Sequence, residues 1–201
     1  VDLHEKNGAY GKAMKQLEDY EKKVMKDPNK MLTSEGRIAA IYEDRQKSAK
    51  NARRIYDRIL AYYEKLPAKT KKVLEITALD AVARAHFVTS EDTYRKYTAI
   101  KLKWSKLTNI AEFKKSVKEK ASALESIQKL YTTTVGFKSA DPAICALDKI
   151  GQAYDHFAYT LVHAPTPKGM PEELLLEFRG QLDTMLLMRG VSLSCTFVGP
   201  I

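Results

Sequence analysis

Cysteine is nearly absent from this chain. The two present, Cys145 and Cys195, sit in no CxxC and in no Cys/His metal spacing. They could close one bridge at most, which excludes a disulfide framework and leaves the redox compartment undetermined. Long apolar runs are missing too: no stretch of about 18 apolar residues occurs, so no membrane-spanning helix is coded. None of the nine glycines falls between Gly36 and Gly136, and none of the seven prolines between Pro67 and Pro142. Helix punctuation is therefore scarce through the middle, which predicts long helices there. Catalytic signatures are also lacking. There is no Gly-rich phosphate loop and no HExxH. The four histidines, His4, His86, His156 and His163, are scattered.

His156 and His163 stand seven apart near Asp148 and Asp155, but a metal site needs tighter helical spacing and a further ligand. A polar helix face explains them. Cys145 would be the fourth residue of a helix capped by Asp141, where a thiol pKa falls; a small residue beside Ile144 and Leu147 is better read as packing. No nucleophile is singled out. No catalytic residue, metal site or cofactor is expected.

Lysine is abundant, and it dominates the charge. The formal net charge is +9. Residues 1–70 hold 16 Lys/Arg against 11 Asp/Glu, residues 71–140 hold 14 against 7, and residues 141–201 hold 4 against 7. A basic middle and a mildly acidic end can steer acidic partners and let copies attract head to tail. The stretch "RKYTAIKLKWSK", 95–106, interleaves aromatics with lysine, a pattern that suits nucleic acid. However, Tyr97, Ile100, Trp104 and Leu107 share one helical stripe, so a buried face backed by solvated lysines is the stronger reading.

Apolar spacing predicts eight helices, at about 9–27, 32–47, 50–65, 69–88, 91–107, 109–135, 142–163 and 171–188. Ile110, Phe113, Val117, Ala121, Leu124, Ile127 and Tyr131 mark one buried stripe. Ile144, Leu147, Gly151, Tyr154, Ala158 and Leu161 mark another. Asp27-Pro28 and Leu66-Pro67 are read as helix ends, Ser90 as a cap, Asn109 and Glu112 as a capping box, and Asp141-Pro142 and Pro171-Glu172-Glu173 as helix starts. The stretch 73–88 is apolar on most sides and should be buried. The helices pair as four hairpins.

Between Pro28 and Pro67 lies "RIAAIYEDRQKSAKNARRIYDRILAYYEKLP". Ala39 and Ala40 precede Tyr42, and Ala52, Tyr56 and Ile59 follow as small, aromatic and small positions. Small residues let paired helices approach while the tyrosine fills the gap. Over about 13–67 the chain resembles a tetratricopeptide-repeat protein, although Tyr42 to Ala52 is one residue too long and the usual glycine is absent. The segment "YTLVHAPTPKGMPEE", 159–173, is similar to a connector in large tetratricopeptide proteins of deltaproteobacterial cell envelopes, gliding-motility-associated ones included. The resemblance implies an all-α, irregular tetratricopeptide-like solenoid, a globular helical bundle being the alternative. It also implies a non-enzymatic protein–protein interaction scaffold at the envelope or in the periplasm, with a leader lost before Val1. A cytoplasmic location is the alternative.

The expected organisation is one helical-repeat domain, 1–190, and an extended tail, 191–201. Helix phase places Arg37, Asp44, Lys72, Glu75, Arg84, Asp148 and Tyr159 on a partner-binding face for a protein or peptide, an acidic one suiting the net charge. The competing class is a nucleic-acid-binding helical protein using the basic middle region, 95–120. In the tail, Val191, Leu193, Cys195 and Phe197 alternate with Ser192, Ser194 and Thr196, the period of a half-buried strand. A lone buried strand cannot satisfy its own backbone. An extended segment packed by Leu193 and Phe197 against the last hairpin is expected. Truncation after Met188 should then lower the melting temperature in a thermal scan, and an unchanged value would argue against that packing.

Overall fold

The computed structural model describes residues 1–24 and 26–188. Every element among them is helical: α1 Asp2–Lys6, α2 Tyr10–Val24, α3 Pro28–Ala40, α4 Ala49–Lys65, α5 Ala68–Lys71, α6 Ile76–Ala99, α7 Ile110–Gly136, α8 Ala140–Val162 and α9 Glu172–Met188. A π-helical turn, Ile41–Arg45, continues α3. The tail 191–201 lies outside the described residues.

The boundaries depart from the expected ones for identifiable reasons. Asp27-Pro28 opens a helix rather than only closing one. The Asp27 carboxylate accepts the N–H groups of Asn29 and Lys30, and Pro28 takes the first helical position. Ser90 does not cap a helix. Its hydroxyl donates to the carbonyl of His86 one turn back, so α6 runs unbroken through the expected boundary. The helix expected to end at 107 stops at Ala99. Beyond it Leu102 and Trp104 are buried while Lys101, Lys103 and Ser105 are exposed, an alternation of period two that a helical reading of the stripe overlooks.

The stripe expected on α8 holds at Ala158 and Leu161 and is displaced before them. Ile144 and Leu147 are exposed, and Ala146, Ala153, Phe157, Ala158 and Leu161 are buried. Small alanines, not the larger aliphatics, let neighbouring helices approach. The α7 stripe is borne out from Phe113 to Tyr131: Phe113, Ala121, Leu124, Ile127 and Tyr131 are all buried.

The π-turn has a local logic. The N–H of Gln46 reaches back five residues to the carbonyl of Ile41, which absorbs one residue more than an α-helix would take. Lys47 follows with φ 51°, a left-handed conformation more often held by glycine.

The chain forms two compact units. The first comprises Val1–Thr93 and Leu130–Asp148. Its core gathers Ala13 and Leu17 of α2, Leu32, Ile38 and Ala39 of α3, Ala52, Ile55, Tyr56 and Ile59 of α4, and Ala78, Ala81, Val82 and Ala85 of α6. Burying faces at three- and four-residue spacing is what makes these lysine-rich helices fold together. Phe137 sets its ring edge against Tyr63 and His86, and Thr134 Oγ1 lies 2.9 Å from His86 Nδ1.

The second unit comprises Tyr94–Lys129 and the chain from Lys149 onward. Trp104, Phe113 and Phe178 meet with ring centroids 5.0–5.3 Å apart. Lys120 is fully buried there. Its ammonium donates to the carbonyls of Tyr97 (3.3 Å) and Ile100 (2.7 Å) at the end of α6 and sits 4.8 Å from the Tyr97 ring centre. A cation at a helix C-terminus satisfies orphan carbonyls and opposes the dipole. Burial nonetheless pushes the Lys120 pKa down to about 8.

In the first unit α3 approaches α6 closely at Gly36. A Cβ added at Gly36 would lie 2.7 Å from the Cβ of Ala81. Gly36→Ala therefore forces two backbones apart, costing about 1–3 kcal/mol, against which the helix propensity of alanine returns about 1 kcal/mol. Urea denaturation should show Gly36→Ala less stable than the parent. Ala81→Gly in the same chain should recover part of the loss as a favourable coupling in a double-mutant cycle.

Candidate functional site

The α3–α6 approach lays the floor of a trough in the first unit. Three clefts, with volumes of about 670, 580 and 420 Å³, share Arg37 as a lining residue; the second lies over the α3–α6 approach, and the third is lined by α1, α2, α3 and the π-helical turn. Arg37 lines all three, and Thr33 and Thr77 line the first two. The two threonine hydroxyls face each other at 3.3 Å. At one end the side-chain carbonyl of Asn29 accepts the N–H of Glu75, which fixes the turn leading into α6. At the other, Ser139 donates to Asp80 and joins the start of α8 to α6.

Two arginines are held by acids. Arg37 donates to Asp2 and to Glu5, the latter at 2.8 Å. The guanidinium beside Asp2 lowers that carboxyl below its ordinary value. Arg84 donates to Glu43 (3.0 Å) and to Tyr56 Oη (3.0 Å), and lies 3.9 Å from Asp44. Tyr56 donates in turn to Glu43. Burial, and then the bond to Glu43, raise the Tyr56 phenol, so it stays protonated. Burial alone would lower Arg84, but its bonds to Tyr56 and Glu43 more than reverse that. Glu43 and Asp44 reach this network because the π-turn carries them.

Beneath the first cleft lies a buried acidic pair. Glu21 of α2 and Glu35 of α3 are 8% and 5% exposed. Glu35 accepts from Arg58 of α4, while Glu21 Oε1 has no hydrogen-bond partner. Burial first, and the Glu35 charge second, push Glu21 up to about 7. Ser34 Oγ faces that carboxyl yet closes no hydrogen bond of good geometry, and its residue lines the cleft.

Of the residues expected on a partner face, Arg37, Asp44, Glu75 and Arg84 line the trough or its network. Lys72 is exposed in the turn after α5 and lines none of the three clefts. Asp148 is exposed on α8. Tyr159 belongs to the second unit, where it is 64% exposed and stacks on His163 at 4.0 Å. Thr33, Thr77, Glu43 and Tyr56 were not foreseen. Their only signal was position: Thr33 and Thr77 flank the small residues of the two approaching helices.

The aromatics of the basic middle are not available for stacking on bases. Tyr97 and Trp104 are 1% and 7% exposed, and the Tyr97 hydroxyl donates to the carbonyl of Ala153. His156 packs on Tyr97 and His163 on Tyr159. Among the described residues no group of three or more His, Cys, Asp or Glu gathers to hold a metal. Among them also, no helix is long and apolar enough to cross a membrane. Comparison with protein-family models, curated proteins and solved structures returns no match.

The buried acid has a pH signature. Its folded pKa, about 7, lies above its ordinary value of 4.5. The neutral form is therefore favoured by folding, and that stability is fully present below about 4.5 and lost as the pH rises through 7. Glu21→Gln should match the parent near pH 4 and exceed it at pH 8, by up to about 3 kcal/mol. Denaturant titrations at the two pH values check this, and equal differences at both would contradict it.

Proposed function

We propose that this chain is a non-enzymatic polypeptide-binding module of the tetratricopeptide type, seating an extended polar segment in the α3–α6 trough. The observation that carries the reading is the open cleft over Gly36, Ala40 and Ala81, which shares Arg37 with two further clefts of the first unit. Clefts grouped around one arginine suit a chain better than a compact small molecule. Their walls offer threonine hydroxyls, Asn29, and charges of both signs from Lys23, Arg37, Asp19 and Glu75. The shifted titratable groups around the trough have structural explanations in burial or pairing, which supports binding over catalysis. The helical-hairpin resemblance over 13–67 supports an irregular repeat scaffold, and the connector 159–173 supports a role in a cell-envelope assembly. With a net charge of +9, an acidic segment is the favoured partner class.

A photo-crosslinking amino acid at position 77, in the trough, should capture a polypeptide, while the same group at exposed position 12 should not. Arg37→Ala should reduce the capture at 77. Equal capture from both positions, or none from either, would remove the trough from consideration.

A further inference from the structure

The second unit carries a feature that the trough does not use. Residues 100–105 lie antiparallel along the start of α7. The N–H of Ser105 donates to the Glu112 carboxylate, that of Lys103 to Ser116 Oγ, and Lys120 donates to the carbonyl of Ile100. Leu102 and Trp104 point inward, so Lys101 and Lys103 point out. The chain then turns back at Lys106–Asn109, closed by Asn109 N–H to the Lys106 carbonyl at 2.9 Å. Asn109 Oδ1 accepts from Glu112 N–H and starts α7. At this tip Leu107 and Ile110 are 39% and 47% exposed.

Lysines surround the tip. Lys101, Lys103 and Lys106 stand on one side and Lys114, Lys115 and Lys118 on the first turns of α7, all exposed. Among the described residues none of the six is ion-paired. Only Glu112 and Glu119 carry negative charge between 101 and 120, and Glu112 is engaged by Ser105.

We infer that this tip is a peripheral docking surface for an anionic lipid bilayer. Two exposed aliphatic side chains at the apex of a tight turn can enter the headgroup region, while the lysines stay at the level of lipid phosphates. Six lysines and no arginine make a diffuse field of point charges rather than a set of bidentate phosphate clamps. That suits a charged surface better than a defined nucleic-acid backbone. The burial of Tyr97 and Trp104 removes the stacking platforms that single-stranded nucleic acid would use.

The test is sedimentation of the whole chain with vesicles of phosphatidylcholine alone or with about 30% phosphatidylglycerol. The anionic vesicles should bind at least about tenfold more tightly, and about 0.5 M salt should abolish the difference. Each lysine at the surface contributes about fivefold, so Lys101→Gln/Lys103→Gln/Lys106→Gln should weaken binding by at least about tenfold. Leu107→Ser/Ile110→Ser keeps the charge and should weaken vesicle binding severalfold, with circular dichroism and melting temperature confirming that both variants fold. Equal binding to the two vesicle types overturns the proposal, as does anionic binding that neither variant reduces. Duplex or single-stranded nucleic acid bound through the same lysines, with no dependence on Leu107 and Ile110 and no vesicle preference, would replace the bilayer by nucleic acid.

Discussion

Gly36 and Ala81 let α3 and α6 meet with only the Ala81 methyl between their backbones, since a methyl added at Gly36 would lie 2.7 Å from it. Much of the first unit is arranged by that approach. Thr33 and Arg37 stand one turn before and one residue after Gly36. Thr77, Asp80 and Arg84 stand four residues before, one before and three after Ala81. Each therefore flanks the contact and looks into the same trough. Wider spacing would fill the floor with side chains and separate the two threonines. It would also carry Arg84 away from Glu43 and Tyr56.

Both units place charge in their interiors and satisfy it to different degrees. Lys120 is buried entirely but is met by two carbonyls and a ring face, so its ammonium replaces water with helix-end dipoles. Glu35 is met by Arg58. Glu21 is not met in this way, and its carboxyl responds by holding its proton to higher pH. The same physics, burial disfavouring the charged form, moves both groups toward neutrality, Lys120 down to about 8 and Glu21 up to about 7.

Much of the helical content was legible before folding was considered. The α7 stripe, the α4 pattern of Ala52, Tyr56 and Ile59, and the start of α9 all follow from spacing and capping, which are local. The failures are also instructive. Ser90 looks like a cap, but its hydroxyl has a carbonyl one turn behind it and the helix continues. "KLKWSK" fits a helical stripe, yet the core takes its alternate residues. On α8 the expected face holds at Ala158 and Leu161, but Ile144 and Leu147 are exposed and Ala146 and Ala153 are buried instead. Four of seven candidate binding residues gather at one trough because helix phase identifies faces. Lys72, Asp148 and Tyr159 lie elsewhere because phase does not say which faces converge.

What the amino-acid sequence determined alone is the class of structure: scarce glycine and proline, apolar residues at three- and four-residue spacing, and the cap where Asp27 precedes Pro28, whereas Asp141 before Pro142 lies inside α8, which already begins at Ala140. These act within one or two turns and need no partner. What only the tertiary structure decided is which faces meet. The trough, the Glu21–Glu35 pair and the lysine-ringed tip each bring together residues distant in the chain or expose residues a local pattern would bury. Those outcomes depend on how closely backbones can approach, which is set by side-chain volume at contacts such as Gly36 with Ala81 rather than by any local preference.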